Sequence, residues 1–168
     1  EYPADRFDMF VAMGYGGLNA HRKKVFERLE GLGYGFASYV SSRATVLNGG
    51  RIGRNAFIME DNTIQPFSEI GDDVVMWSGN HVGHDSKIGP HCFLTSHVVV
   101  SGYVAIGERC FIGVNSTMRD GVKVGARSIV GAGSLVLSDL PDASVCIERG
   151  TKPLPMDSGE FLASGFSI

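Results

Sequence analysis

The chain has 168 residues, of which 20% are charged and 43% hydrophobic, and a formal charge of −3. That length supports one compact domain with a small appendage, and the ordinary apolar fraction with a small net charge excludes a disordered chain. No apolar run approaches the ~20 residues of a membrane span, no signal peptide is visible, and the mildly acidic balance leaves no footprint for nucleic acid.

Glycine is abundant, at 23 residues, without the three-residue period of collagen. Three cysteines without C-x-x-C spacing argue against a disulfide scaffold and a zinc knuckle, and a reducing cytoplasm is the expected compartment. The chain opens on Glu1 rather than Met, so it reads as part of a longer gene product.

In chain order, Phe7 to Met13 reads as a buried strand, followed by a Gly-Tyr-Gly-Gly turn at 14–17. Asn19 to Glu30 carries helical spacing through Val25, Phe26 and Leu29, with Gly31 and Gly33 as stop signals. The basic run His21 to Lys24 reads as the wet face of that helix. Phe36 to Val40 is extended, so residues 1–39 form a β-α-β piece, the end of an α/β domain of nucleotide-sugar-binding type.

From Val40 the pattern changes. Stepping by six from Val40 to Val136 meets 17 positions, every one aliphatic or Met, with no break in register. Two residues earlier in each unit stands a residue no larger than Val or Asn, and glycine recurs directly after the apolar position at 53, 71, 83, 89, 107, 113, 125 and 131. Neither the helical period of 3.6 nor the strand period of two produces a strict six. One bulky inward residue, one small inward residue and a turn describe one side of a triangular coil, with glycine relieving backbone crowding near the turn. Three units make an 18-residue coil, and coils stack at about 4.8 Å, so residues 40–140 form an all-β parallel solenoid of five to six coils. After Leu140-Pro141 the pattern stops, and 141–168 reads as an irregular tail with a short turn around Glu160 to Ala163.

An 18-residue coil predicts vertical neighbours. His84 lies under Gly102 and Gly102 under Asp120, while Cys92 stacks with Cys110 as small interior fill. Adjacent residues on a straight strand face opposite ways, but His84 and Asp85 fall at a corner, where a carboxylate can fix the tautomer of a general base. His81 fits a substrate contact beside them, and His91 and His97 read as surface or interface residues. A zinc site is disfavoured, because His84 and His97 are not one coil apart and the H-x-x-x-x-H spacing is absent. No G-x-S-x-G elbow, Walker-type loop or G-x-G-x-x-G fingerprint stands in a strand-turn-helix context.

The stretch Asn80-His81-Val82-Gly83-His84-Asp85 with Ile88-Gly89 resembles the V-x-H-[DE]-x-x-I-G core of sugar acyltransferases. Val100 to Gly107, Phe111 to Asn115 and Ile129 to Ser134 extend the likeness to the sialic-acid O-acetyltransferase and nucleotide-aminosugar N-acetyltransferase family over residues 7 to 140. The resemblance implies a left-handed parallel β-helix of hexapeptide repeats, a homotrimer with sites in grooves between neighbouring coils, and acetyl-CoA as co-substrate without a metal. It further implies His84 as general base assisted by Asp85, and the Gly102 N–H facing the thioester. The pantetheine would pass Val114, Asn115, Ala132 and Gly133, with Asn80 and His81 touching the sugar and Arg127, Arg149 or Lys152 meeting the coenzyme phosphates. Two positions depart from the family: the usual G-x-P-A-K is here Glu148-Arg-Gly-Thr-Lys-Pro153, and a second histidine nine residues past the base is here Phe93. The expected reaction is acetyl transfer to a nucleotide-linked amino sugar for surface polysaccharide. The alternatives are O-acetylation of the sialic-acid type and a non-enzymatic trimeric binding module.

Overall fold

In the computed structural model, which describes residues 2–147, 150, 153 and 155–164, the six-residue period becomes a three-sided parallel β-solenoid. Each side is a stack of two-residue strands. The first face runs from Tyr39–Val40 through Phe57–Ile58, Val75–Met76, Phe93–Leu94, Phe111–Ile112 and Ile129–Val130 to Val145–Cys146. The second runs from Thr45–Val46 through Thr63–Ile64, His81–Val82, Val99–Val100 and Thr117–Met118 to Leu135–Val136. The third holds Glu69–Ile70, Lys87–Ile88, Ala105–Ile106 and Lys123–Val124. Strand partners such as His81 and Val99, or Lys87 and Ala105, lie one 18-residue coil apart.

Both inward columns are buried. Ile58, Ile64, Met76, Val82, Leu94, Val100, Ile112 and Met118 are fully enclosed. So are the small residues before them, from Ala56 to Ser128. The polar members of the small column bond upward or back to carbonyls: Ser86 Oγ donates to Ser101 O at 2.7 Å and accepts the Val104 N–H at 3.1 Å. Cys92 and Cys110 stack as expected, with the Cys110 N–H on Cys92 Sγ at 3.4 Å.

The glycine column has a sharper cause than turn crowding. These glycines are absent from the positive-φ positions. A Cβ on Gly113 would instead sit 2.5 Å from the Ala132 nitrogen, and on Gly83 2.5 Å from the Ser101 carbonyl carbon. The coil above comes too close for a side chain. The left-handed turn falls two residues later, at every sixth residue from Asn55 to Gly133, and Asn, Asp and His fill seven of those positions, the residue types that tolerate this region best.

Two boundaries move. The solenoid does not stop at Leu140: Leu140 bridges Val124, and Val145–Cys146 pairs with Ile129–Val130. Those partners are 16 residues apart, so a final, shortened rung escapes a strict period of six. Residues Ser158–Ala163 form a short helix rather than a turn. At the other end, the strand expected over Phe7 to Met13 contracts to Asp8–Met9, parallel to Gly35–Phe36, and Phe7, Phe10 and Met13 stay about 40% exposed.

The intervening helix, Ala20–Gly31, shares a small core of Val11, Phe26 and Phe36 and packs beside the aromatic column of the first face. The basic run at its start is not wholly wet. Arg22 is fully buried and paired with Asp73 at 3.1 Å, while its other nitrogens reach Gly14 O, Asp73 O, His91 O, Cys92 O and Asn19 Oδ1. His91, expected at the surface, is likewise buried and holds the second Asp73 oxygen at 2.8 Å. This network ties the helix to a solenoid corner.

Replacing Gly113 with Ala drives a methyl into the backbone of the next rung, which has no rotamer through which to retreat. The expected loss is about 3 kcal/mol, the upper end of the cost of overpacking, measurable as a drop in the denaturant midpoint against Gly14→Ala, where a Cβ meets nothing within 4 Å.

Candidate active site

The corner between the second and third faces carries the chemistry. Asp85 adopts φ 56°, one of the left-handed corner positions, and this turn breaks the strand alternation that would separate it from its neighbour. Its Oδ2 lies 3.0 Å from His84 Nδ1. A carboxylate only accepts hydrogen bonds, so in the neutral imidazole Nδ1 carries the proton and Nε2 presents a lone pair. The pair is about half exposed, at 49% and 38% of the side chains. Its frame is rigid: the His84 N–H donates to Gln65 Oε1 at 2.9 Å, the Tyr103 N–H to His84 O at 3.0 Å, and the Tyr103 ring meets the imidazole edge-on at 4.9 Å.

Gly102 stands one rung above, as the coil arithmetic predicts. A Cβ there would lie 2.8 Å from His84 Nε2 and 3.3 Å from Asp120 Oδ1. Its missing side chain leaves the space in front of the lone pair where an acceptor group can sit. The Gly102 amide is a different matter. It donates to Asp120 Oδ1 at 2.7 Å, so the N–H expected to face a thioester already has a charged acceptor.

The other expected residues divide. His81 projects from the same face, between Thr63 and Val99 of the neighbouring rungs, and is partly exposed. Asn80 is 1% exposed and bonded throughout: its amide reaches Asn62 Oδ1 and Trp77 O, and its oxygen accepts the Val98 N–H. It is an interior rung-to-rung tie, not a sugar contact. Val114, Asn115, Ala132 and Gly133 lie on a different corner, between the first and second faces. There a cleft of about 360 Å³ is lined by Trp77, Thr95, Ser96, Phe111, Gly113, Val114 and Ala132. His97 shares that corner, its ring where a Gly79 side chain would be, so it is separated from His84 by a whole face. Arg127 is ion-paired with Asp142 at 3.0 Å, and Arg149 and Lys152 lie outside the described residues. The sequence reading missed Gln65 and Tyr103, although both fall at positions one rung from His84 and Asp85.

The repeat and the corner have counterparts. A family model described as the hexapeptide repeat of succinyl-transferase matches residues 103–138. No curated protein matches the chain. Among solved structures, perosamine N-acetyltransferase from Caulobacter crescentus, as a histidine-to-asparagine variant with CoA and GDP-perosamine, is 32% identical over 85% of this chain and 67% of its own, with a TM-score of 0.79. The chain belongs to the hexapeptide-repeat sugar acetyltransferases. Another structure of the Caulobacter enzyme, PerB, with the same two molecules, is 34% identical over 83% of this chain and 66% of its own, at a TM-score of 0.78. The acetyltransferase domain of PglB from Neisseria gonorrhoeae is 28% identical over 90% of this chain and 72% of its own, at 0.81. The left-handed β-helix of this acetyltransferase family is thus the fold of the chain, and the family makes it an enzyme.

The glycine before the lone pair gives a direct check on the corner. Gly102→Ala places a methyl 2.8 Å from Nε2 and pushes the imidazole aside, so acetyl transfer is expected to fall at least about tenfold while the melting temperature shifts little, because the displaced atom is the end of a movable ring. Parallel melting curves and thiol-release rates read the two effects separately.

Proposed function

We propose that the chain transfers an acetyl group from acetyl-CoA to the amino group of a nucleotide-linked amino sugar, with His84 as the base. The observation that carries this reading is the His84–Asp85 contact of 3.0 Å, with Nε2 facing the gap above which Gly102 has no side chain. The chemistry follows from those atoms. The amine nitrogen attacks the thioester carbonyl, a C–N bond forms and the carbonyl electron pair moves to oxygen. His84 Nε2 takes the N–H proton while Asp85 steadies the imidazolium, an assistance worth about 10²–10⁴-fold. As the oxygen electrons return, the C–S bond breaks and the leaving thiolate receives the proton from His84.

The substrate class is supported by the 32–34% identity to an enzyme solved with CoA and GDP-perosamine, and the neighbour from Neisseria gonorrhoeae solved with acetyl-CoA supports the donor. The cleft at Trp77, Phe111, Val114 and Ala132 is mostly apolar, which suits a pantetheine arm. It sits on another corner of the prism from His84, so the complete site is proposed to form between copies in a homotrimer, each giving one corner. Nucleotide sugars and CoA thioesters are cytoplasmic metabolites, and that is the compartment proposed, in the service of a surface polysaccharide. No described helix is long and apolar enough to cross a membrane.

The test is thiol release from acetyl-CoA with GDP-perosamine and other nucleotide-linked amino sugars. His84→Ala is expected to lower turnover by about 10²-fold or more with the fold and oligomeric state preserved, and Asp85→Asn to cost less because the base itself remains. Full turnover by His84→Ala would refute the assignment.

A further inference from the structure

Three backbone amides at solenoid corners donate to an aspartate on the rung above: Arg54 to Asp72 at 2.7 Å, Ala126 to Asp142 at 2.9 Å, and Gly102 to Asp120 at 2.7 Å. In the first two the carboxylate is also neutralised by an arginine, Arg54 for Asp72 and Arg127 for Asp142. The third differs. Among the described residues, Asp120 has no arginine or lysine partner. What it faces instead is the gap in front of His84 Nε2, since that nitrogen and Asp120 Oδ1 both lie within 3.3 Å of the point where a Gly102 Cβ would be.

From this convergence we infer that Asp120 is the carboxylate that receives the cationic nitrogen of the acceptor, and so selects an amine over a hydroxyl. The inference rests on the acetyltransferase reading and deepens it. A primary ammonium has three N–H donors. A carboxylate on one side and an imidazole on the other offer two acceptors of the kind it needs, and a charge-assisted bond is about twice as strong as a neutral one. The fixed amide of Gly102 aims the carboxylate, using one of its roughly four lone-pair sites and leaving the others for the ligand. The charge matters again during attack. As nitrogen bonds to the thioester carbon it becomes positive before its proton passes to His84 Nε2, and Asp120 opposes that charge. A sugar hydroxyl arrives neutral, so the same carboxylate gains less from it. The Gly102 N–H serves here to orient Asp120, not to bind the thioester oxygen.

The test compares wild type, Asp120→Asn, Asp120→Glu and the control Asp72→Asn. The probes are GDP-perosamine and the GDP-linked 6-deoxymannose that carries a 4-hydroxyl in its place. Binding is read by calorimetry with CoA present, turnover by thiol release from acetyl-CoA, and folding by thermal melting. Asn keeps an oxygen for the Gly102 N–H but carries no charge. Asp120→Asn is expected to weaken binding of the amine by about 10–100-fold, leave the hydroxyl compound's affinity and the acetyl-CoA KM within about threefold, and lower kcat for the amine. Asp120→Glu recovers most of the preference. Asp72→Asn shifts only the melting temperature. If Asp120→Asn behaves like Asp72→Asn, with the amine preference intact, Asp120 is a rung tie and the inference is overturned. The same holds if it accelerates turnover or changes the acetyl-CoA KM, which makes it a block on the amide. A variant of either kind that fails to melt cooperatively is replaced by Asp120→Glu, whose loss of amine preference also overturns it. A wild type that neither binds nor acetylates GDP-perosamine overturns the amine-transfer reading first, and this inference with it.

Discussion

Everything in this protein depends on one constraint: the backbone of each rung bonds to the rung 18 residues away. The Gly83 N–H reaches Val100 O at 2.7 Å and the Gly113 N–H reaches Val130 O at 2.7 Å, and the same spacing holds on all three faces until the final rung. Parallel strands so short cannot stand alone. Closed into a coil, they share one core running the length of the stack and expose sheet edges only at its ends, which is how a chain with two-residue strands forms a folded body. The constraint then propagates to sequence. A position that touches the rung above at one place touches it at every place, so a whole column must be glycine where the backbones approach, and a whole column must be small where the corner tightens.

The corners are where this regularity yields chemistry. Along a strand, neighbours point apart; at a left-handed corner they do not. Two corners use the same local geometry for opposite ends. At Asp73, φ 57°, and His91, φ 59°, the side chains turn under the N-terminal helix and meet Arg22 in a dry network. Burying that charge is tolerable only because several acceptors surround it. At Asp85 the corner stays open to solvent, and the aspartate turns its carboxylate onto an imidazole. The difference is not in the residues, since each corner pairs an Asp with a His, but in what packs over them.

That difference explains what could and could not be read in advance. The period of six, the three-sided coil and the vertical order His84–Gly102–Asp120 are properties of a one-dimensional pattern, and spacing alone carries them. Arg22 is not such a property. In isolation it is one of four consecutive polar residues on a weakly amphipathic helix, and only the docking of that helix on a particular corner makes it the most enclosed cation of the described chain. His91 hides for the same reason. Asn80 misled differently: its place beside the catalytic histidines in sequence suggested a ligand contact, yet it belongs to the inward small column, where Asn62 and Asn80 tie successive rungs. The column assignment outranks proximity in sequence. The shortened last rung at Val145–Cys146 has no signal of period six to reveal it, because two residues are missing from the repeat.

The Gly102 amide shows how a family role can be displaced by one local bond. Resemblance assigns that N–H to the thioester, and the coil geometry does bring it beside His84. A carboxylate at 2.7 Å is nonetheless a stronger acceptor than a thioester oxygen, and swapping one for the other would leave an anion beside a carbonyl that is itself becoming negative. With Asp120 held in place, the charge logic of the corner reverses: the favoured partner is a cation on the acceptor side rather than an oxyanion on the donor side. An amine, positive on arrival and positive again at the moment of attack, satisfies that logic at both stages. A hydroxyl satisfies it at neither.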